Sequence, residues 1–255
     1  HGVEVRPVTI ADSDWDCTLE PRDGLPQPAL RLGLCLVRSL SQKAALRIMA
    51  ARAERPFANA QELAERAQLA RGELEALAAA GALAALGGHR HLAFWEVAGT
   101  VRPLPLAPGD AGDARFQEGQ PLLVAPTEPQ NILADYAATG LTLGRHPLAL
   151  LRERLRTEGL SSAADLAALP HGSPVRTAGL VLMRQRPQSA KGVTFLTIED
   201  ETGQVNLIVW KSVGEKQRRP MVEAQLLEVH GRLQREGSIL HLVARRLIDR
   251  TALTG

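Results

Sequence analysis

Cysteine is almost absent: Cys17 and Cys35 are the only two in 255 residues. Two cysteines make no disulfide framework, so the fold rests on its apolar core, and a reducing, cytoplasmic setting fits. No apolar run approaches the roughly 20 residues a membrane-spanning helix needs. The start lacks the basic, apolar and small-residue succession of a secretory signal. "HGVEVRPVTI" reads instead as strand-forming, and as part of a fragment cut from something longer. Aromatic residues make up only 3% of the chain, which limits the stacking platforms a binding surface can offer. Catalytic signatures are missing too: there is no phosphate loop, nucleophile elbow or zinc ribbon. His89 and His91 stand two apart with no third ligand at metal spacing. Asp12, Asp14 and Asp16 of "DSDWD" invite a two-metal site but lack supporting ligands, and read better as a turn.

What the chain does have is uneven charge. Net charge is +2, yet residues 1–100 carry 11 Lys/Arg against 12 Asp/Glu, residues 101–171 carry 6 against 8, and residues 172–255 carry 13 against 8. A basic excess at the C-terminal end suits nucleic acid, or a solvated surface; charge alone does not separate the two.

The organisation expected is α+β and multidomain. Residues 1–28 read as a short strand, Val3 to Val8, followed by a loop with Pro21, Pro26 and Pro28. Residues 29–100 read as a helical domain. "ALRLGLCLVR" and "QKAALRIMAARAE" are helix-like runs parted only by Ser39, Leu40 and Ser41, and "NAQELAERA" carries a capping-box pattern from Asn59 to Glu62. Residues 101–130 hold six prolines and three glycines, the composition of a linker. Residues 131–171 read as connecting helices, with Pro147 and Ser162 at helix starts. Residues 172–255 give three strands, a short connecting element at "VGEKQRRPMV" and two more strands. That order predicts the five-stranded OB-fold β-barrel, which binds nucleic acid on its strand 2–3 face and on the loops after its first and fourth strands.

Candidate binding residues follow from this placement. Arg184, Arg186 and Lys191 lie in "RQRPQSAKG", between the first and second barrel strands, and Arg232 and Arg235 lie by the last hairpin. Cations along a groove neutralise phosphates and release counterions. Phe195 and Trp210 are the available stacking platforms, with Lys211 beside the latter. In "VRSLSQKA", Arg38, Ser39, Ser41 and Lys43 surround a turn that is either a phosphate-gripping helix-hairpin-helix or a plain helical hairpin in a core.

Several long strings now point one way. "VEVRPVTIADSDWDCTLE", "LRLGLCLVRSLSQKAALRIMAARAERPFANAQELAERA", "DYAATGLTLGRHPLALLRERL" and "AGLVLMRQRPQSAKGVTFLTIEDETGQVNLIVW" resemble the C-terminal third of a bacterial C-family DNA polymerase, nearest to the error-prone, damage-inducible (ImuC) type. The resemblance implies the end of the fingers, a tandem helix-hairpin-helix domain, a linker and an OB domain. It implies duplex DNA at the first and single-stranded template at the second. The family's palm carboxylates and Mg2+ ions fall upstream of residue 1, so no catalytic residue, metal or cofactor is assigned within this chain. The implied protein partners are an ImuB-type Y-family-like protein and a sliding clamp, reached directly or through that protein; "QPLLV" at 120–124 is a poor echo of a clamp peptide. A module that docks partners and hardly touches DNA is the competing reading. A tRNA-binding OB domain is a third, and the preceding helices and missing synthetase motif argue against it.

Overall fold

A computed structural model describes residues 2–100, 123–190, 192–237 and 239–253. The chain divides into two compact units, His1–Gly144 and Arg145–Gly255, each taken by itself. Most of the expected linker, residues 101–122, lies outside the described residues. The stretch read as connecting helices, 131–171, divides between the two units.

The first unit opens on three strands, β1 (Val5–Arg6), β2 (Thr18–Arg22) and β3 (Leu25–Arg31), in the order β1-β3-β2. This corrects the expectation of one strand and a loop over 1–28, and the prolines explain the difference. Pro21 sits at a register shift between Glu20 and Arg22, where the ladder is already broken. In β3 the N–H of Leu30 donates to Glu4 O (2.9 Å), towards β1. Positions 28 and 26 turn their nitrogens to that same side, beyond the end of the two-residue β1. Proline there removes no ladder bond. "ALRLGLCLVR" is also corrected. Ala29–Arg31 finish β3, and Leu34–Leu36 make a single 3-10 turn. Strand pairing takes this backbone while Leu32, Leu34 and Val37 fill the core, and weak helix propensity yields to that packing.

Five more helices fall in the stretch expected to be helical: α1 (Gln42–Glu54), α2 (Ala60–Arg66), α3 (Arg71–Ala79), α4 (Ala84–Gly87) and α5 (Arg90–Ala98). A sixth, α6 (Glu128–Ala138), begins inside the stretch expected as linker, because Gln130 Oε1 accepts from Thr127 N–H (2.8 Å) and starts the helix there. Asn59 caps α2 through Glu62 N–H (2.9 Å), and the Glu62 carboxylate answers Ala58 N–H (2.7 Å). Ile48, Leu63, Leu74, Leu77 and Leu83 are fully buried in one core. The "DSDWD" stretch is bound to that core, because Arg52 donates to Asp14 (2.6 Å) and to the carbonyls of Ile10 and Ser13.

The second unit sets α7 (Pro147–Thr157) and α8 (Ala163–Ala168) against a barrel. Its strands are β4 (Pro174–Gln185), β5 (Thr194–Asp200), β6 (Gly203–Val209), β7 (Leu226–Glu236) and β8 (Ile239–Asp249), with α9 (Lys211–Lys216) and α10 (Arg218–Glu223) between β6 and β7. The order β4-β5-β6-β8-β7 closes on itself, so this is a five-stranded OB-fold barrel. Closure depends on β4, which pairs with β7 over Pro174–Leu180 and with β5 from Leu180 onward. Gly179 stands at that crossing, where a Cβ would come within 2.9 Å of the Ile198 side chain.

Glu228 anchors the far side of the barrel. It is 1% exposed and accepts from Arg176 (3.0 Å), Arg250 (2.6 Å) and His230 (2.6 Å). Burial pushes its carboxyl up, but the bonds from His230, Arg250 and Arg176 prevail and lower it from 4.5 to about 2. A depressed pKa stabilises the fold at pH above the unfolded value and is lost as pH falls towards the folded one. Glu228→Gln should therefore lower unfolding stability of this unit at neutral pH by about 3 kcal/mol. Urea denaturation across pH is the check: the gap to wild type should shrink between pH 4.5 and about 2, and a gap that stays constant over that range would refute the assignment.

Candidate nucleic-acid interface

The outer face of β5 and β6 follows from their alternation. Leu196, Ile198, Val205, Leu207 and Val209 turn into the barrel, leaving Phe195, Thr197 and Glu199 on β5 and Gln204, Asn206 and Ile208 on β6 facing out, with Trp210 just past its end. Pairing arranges these side chains in rows across the strands. Gln185, Phe195, Ile208 and Val243 form one row, and Met183, Thr197, Asn206 and His241 the next. The rows are two residues apart along each strand, about 7 Å. The first is mostly apolar. The second is mostly polar, with Thr197 Oγ1 donating to Asn206 Oδ1 (3.1 Å) and a buried His241 Nδ1 that has no hydrogen-bond partner among the described residues. Phe195 is 37% exposed and Trp210 55%, so both aromatic candidates lie outside the core. A base offers a face to stack and an edge to hydrogen-bond, and these rows present both kinds of partner.

The basic residues sort into two groups. Arg184 donates to the carbonyls of Met221 (2.8 Å) and Ala224 and closes the end of α10. Arg232 donates to Gly172 O (3.1 Å), and Arg235 to Ala167 O (2.8 Å) and Leu169 O (3.3 Å) at the end of α8. These three guanidinium groups are engaged within the protein. Arg186 and Lys211 are exposed and line, with Arg184, a cleft of about 390 Å3 between the end of β4 and the two short helices. Arg218 also lines it, although no strand pattern marks that residue in the sequence. Arg186 and Arg218 have no hydrogen bond or ion pair among the described residues, and Lys211 has only a 3.9 Å approach to Glu215. Lys191 lies outside the described residues.

In the first unit Ser39 (φ 66°) and Gln68 (φ 51°) are, among the described residues, the non-glycine positions with left-handed backbone. Each precedes a buried leucine, Leu40 or Leu69, and then the N-cap of a helix, Ser41 for α1 and Ala70 for α3. One turn is thus built twice, and without glycine the repeat is hard to read from sequence. Ser41 Oγ accepts from Ala44 N–H (3.1 Å) and meets Glu73 Oε1 (3.3 Å). Ala45 N–H reaches Ser41 O, so Gln42 and Lys43 hold the N–H groups left at the open helix end. Glu73 also takes the N–H of Ala70 (2.9 Å), and its charge beside both turns opposes a phosphate there. Arg38 donates to Ala137 O (2.9 Å) and closes α6, while the Lys43 side chain is exposed. Of "QPLLV", Leu123 and Val124 are described. Their carbonyls meet His89 (3.1 Å) and His91 (2.8 Å), and the Val124 side chain is 83% exposed. Among the described residues no three His, Cys, Asp or Glu could hold a metal ion, and no helix is long and apolar enough to cross a membrane.

Residues 2–93 match the family model described as a helix-hairpin-helix motif, and residues 175–249 match the OB-fold nucleic acid binding domain. Turn and barrel together define a chain built of two nucleic-acid-binding classes of domain. It is 56% identical over 249 residues to the error-prone DNA polymerase of Alkalilimnicola ehrlichii, covering 98% of this chain and 24% of that protein. It is 51% identical over 267 residues to that of Methylococcus capsulatus, covering 98% and 25%. The chain belongs to the bacterial error-prone DNA polymerases, as their C-terminal quarter, and spans about a quarter of the length of these relatives.

The left-handed serine gives a test of the first hairpin. Ser39→Gly should raise the stability of this unit by about 0.5–1 kcal/mol, since relief of the αL strain outweighs the added unfolded-state freedom. Ser39→Val should lower it. Urea midpoints of the two variants check this, and a loss of stability in Ser39→Gly would mean that the turn is not held at positive φ in solution.

Proposed function

We propose that the chain is the DNA-binding and partner-docking region of an error-prone translesion polymerase used in damage-induced mutagenesis in the bacterial cytoplasm. Single-stranded template lies on the outer face of the barrel, and duplex meets the helical unit. The observation that carries this reading is the pair of cross-strand rows with Phe195 and Trp210 at one side and, beside them, a cleft lined by Arg186, Lys211 and Arg218, none of them in a close ion pair among the described residues. The parent enzyme performs template-directed nucleotidyl transfer with Mg2+. The resemblance implies that this metal and its carboxylates lie upstream of this chain, and the chain alone is not expected to extend a primer. A second reading has its own support. Leu182, Met183 and Trp210 are each at least half exposed, which suits a docking face for an ImuB-type Y-family-like partner or a sliding clamp.

Fluorescence anisotropy of labelled oligo-dT across a salt series separates the two. With about two or three phosphates neutralised, log K should fall against log salt with a slope of roughly −1.4 to −2.1. Arg186→Ala with Lys211→Ala should flatten it by about 1.4. Trp210→Ala should weaken binding by about tenfold at an unchanged slope, as loss of stacking does. Wild-type affinity in both variants would leave docking as the function of this face.

A further inference from the structure

We infer that the cleft between the end of β4 and α9–α10 takes one whole nucleotide of the bound strand, its phosphate among Arg186, Lys211 and Arg218 and its sugar and base against Met221 and Val222. The inference rests on the DNA-binding reading and adds to it a defined pocket and a defined occupant. Its volume, about 390 Å3, is at the lower end of small-ligand sites. That is room for a single nucleotide.

The lining is of two kinds. Four cations, none held by a close ion pair among the described residues, line it with one carboxylate, Glu215; Arg184 is turned onto carbonyls, which leaves Arg186, Lys211 and Arg218. Beside Arg218, on the same face of α10, Val222 is 53% exposed and Met221 is partly buried. A free phosphate would leave the apolar wall unused, and an apolar peptide would leave the cations unused. A nucleotide uses both. Two glycines keep the space open. A Cβ on Gly214 would come within 3.0 Å of Met221 Sδ, and one on Gly192, whose φ is +90°, within 3.0 Å of Lys211 Cδ. The cleft is held in shape without a ligand, because Arg184 reaches from β4 to the carbonyls of Met221 and Ala224. It is also continuous with the outer face. Gln185 in the cleft pairs in register with Phe195, and Lys211 follows Trp210 directly. A base stacked on either ring has its neighbouring nucleotide at the mouth.

The test uses the full chain, with Arg218→Glu and Val222→Glu. Both side chains are exposed, so neither change threatens folding. Each should weaken oligo-dT binding by about tenfold or more, the scale of a lost or reversed charge-assisted contact. In saturation-transfer NMR, dTMP should receive signal at its thymine protons from wild type and not from Arg218→Glu. Inorganic phosphate at matched ionic strength should displace dTMP poorly; equal displacement would overturn the claim that a whole nucleotide is recognised. Wild-type oligo-dT affinity in both variants would remove the cleft from the binding path and leave the outer face standing. A wild-type chain that binds dTMP and not oligo-dT would sink the DNA-binding reading and keep the pocket. Binding of neither would sink both.

Discussion

Asp200 is 5% exposed and accepts five hydrogen bonds. One oxygen takes the N–H groups of Thr202 (2.8 Å) and Gly203 (3.1 Å) and the Thr202 hydroxyl (2.6 Å). The other takes Ala163 N–H (2.8 Å) from α8 and Arg152 Nη2 (3.0 Å) from α7. This carboxylate therefore closes the β5–β6 turn and holds two helices against it. Turn geometry fixes register, and a slip of one residue in β5 would send Phe195 and Thr197 inward and Leu196 and Ile198 out. Every side chain on the candidate face depends on that turn. Burial opposes the charge on Arg152, while Glu201, Asp200 and Asp165 raise its pKa overall. Such a buried pair adds little net stability compared with a well-packed apolar substitute. Its contribution here is placement.

The same logic governs the arginines. A guanidinium carries five donors in a rigid fork, and this chain turns many of them on its own carbonyls. Arg38 closes α6, Arg184 closes α10, and Arg232 and Arg235 tie down the end of α8 and the segment after it. Arg47 does the same for the second hairpin, donating to Ala67 O (2.7 Å) and Gln68 O (3.2 Å). The basic excess of residues 172–255 is real, yet much of it is internal bracing. Among the described residues, Arg186, Lys211 and Arg218 in the cleft are part of what still faces solvent.

This explains what could be read from residues alone. The barrel was legible because β5 and β6 alternate cleanly, and because "EDETG" holds both the turn and the acid that fixes it. Helices such as α2 and α8 were legible from their caps, Asn59 and Ser162. The N-terminal sheet was not, since Pro26 and Pro28 look like strand breakers until it is known that the neighbouring strand stops short of them. Nor was the doubled hairpin, because Ser39 and Gln68 do with strained backbone what glycine does freely. Phe195 and Trp210 were marked by type and position. Arg218 was not, because its place in the cleft depends on α10 folding back over the end of β4. Charge counting also cannot show that Arg184, though on the right loop, points its donors at Met221 and Ala224. Non-local contacts decide both cases.

Two exposed rings and three cations not closely paired on one face set a ceiling on intrinsic affinity for a single strand. Stacking contributes roughly 1–3 kcal/mol per base, and each phosphate contact is screened by salt. Under the DNA-binding reading such a face cannot capture template from dilute solution, nor does a tethered domain need to. Joined to a polymerase already on its primer, it meets the strand at an effective concentration of about millimolar. A site of modest affinity is then substantially occupied and still releases quickly, because dissociation is fast where contacts are few. Weak, sequence-tolerant contacts of this kind also accept a distorted base more readily than a set of specific edge contacts would. On this view the scarcity of aromatics that marks the sequence is compatible with the function proposed for it.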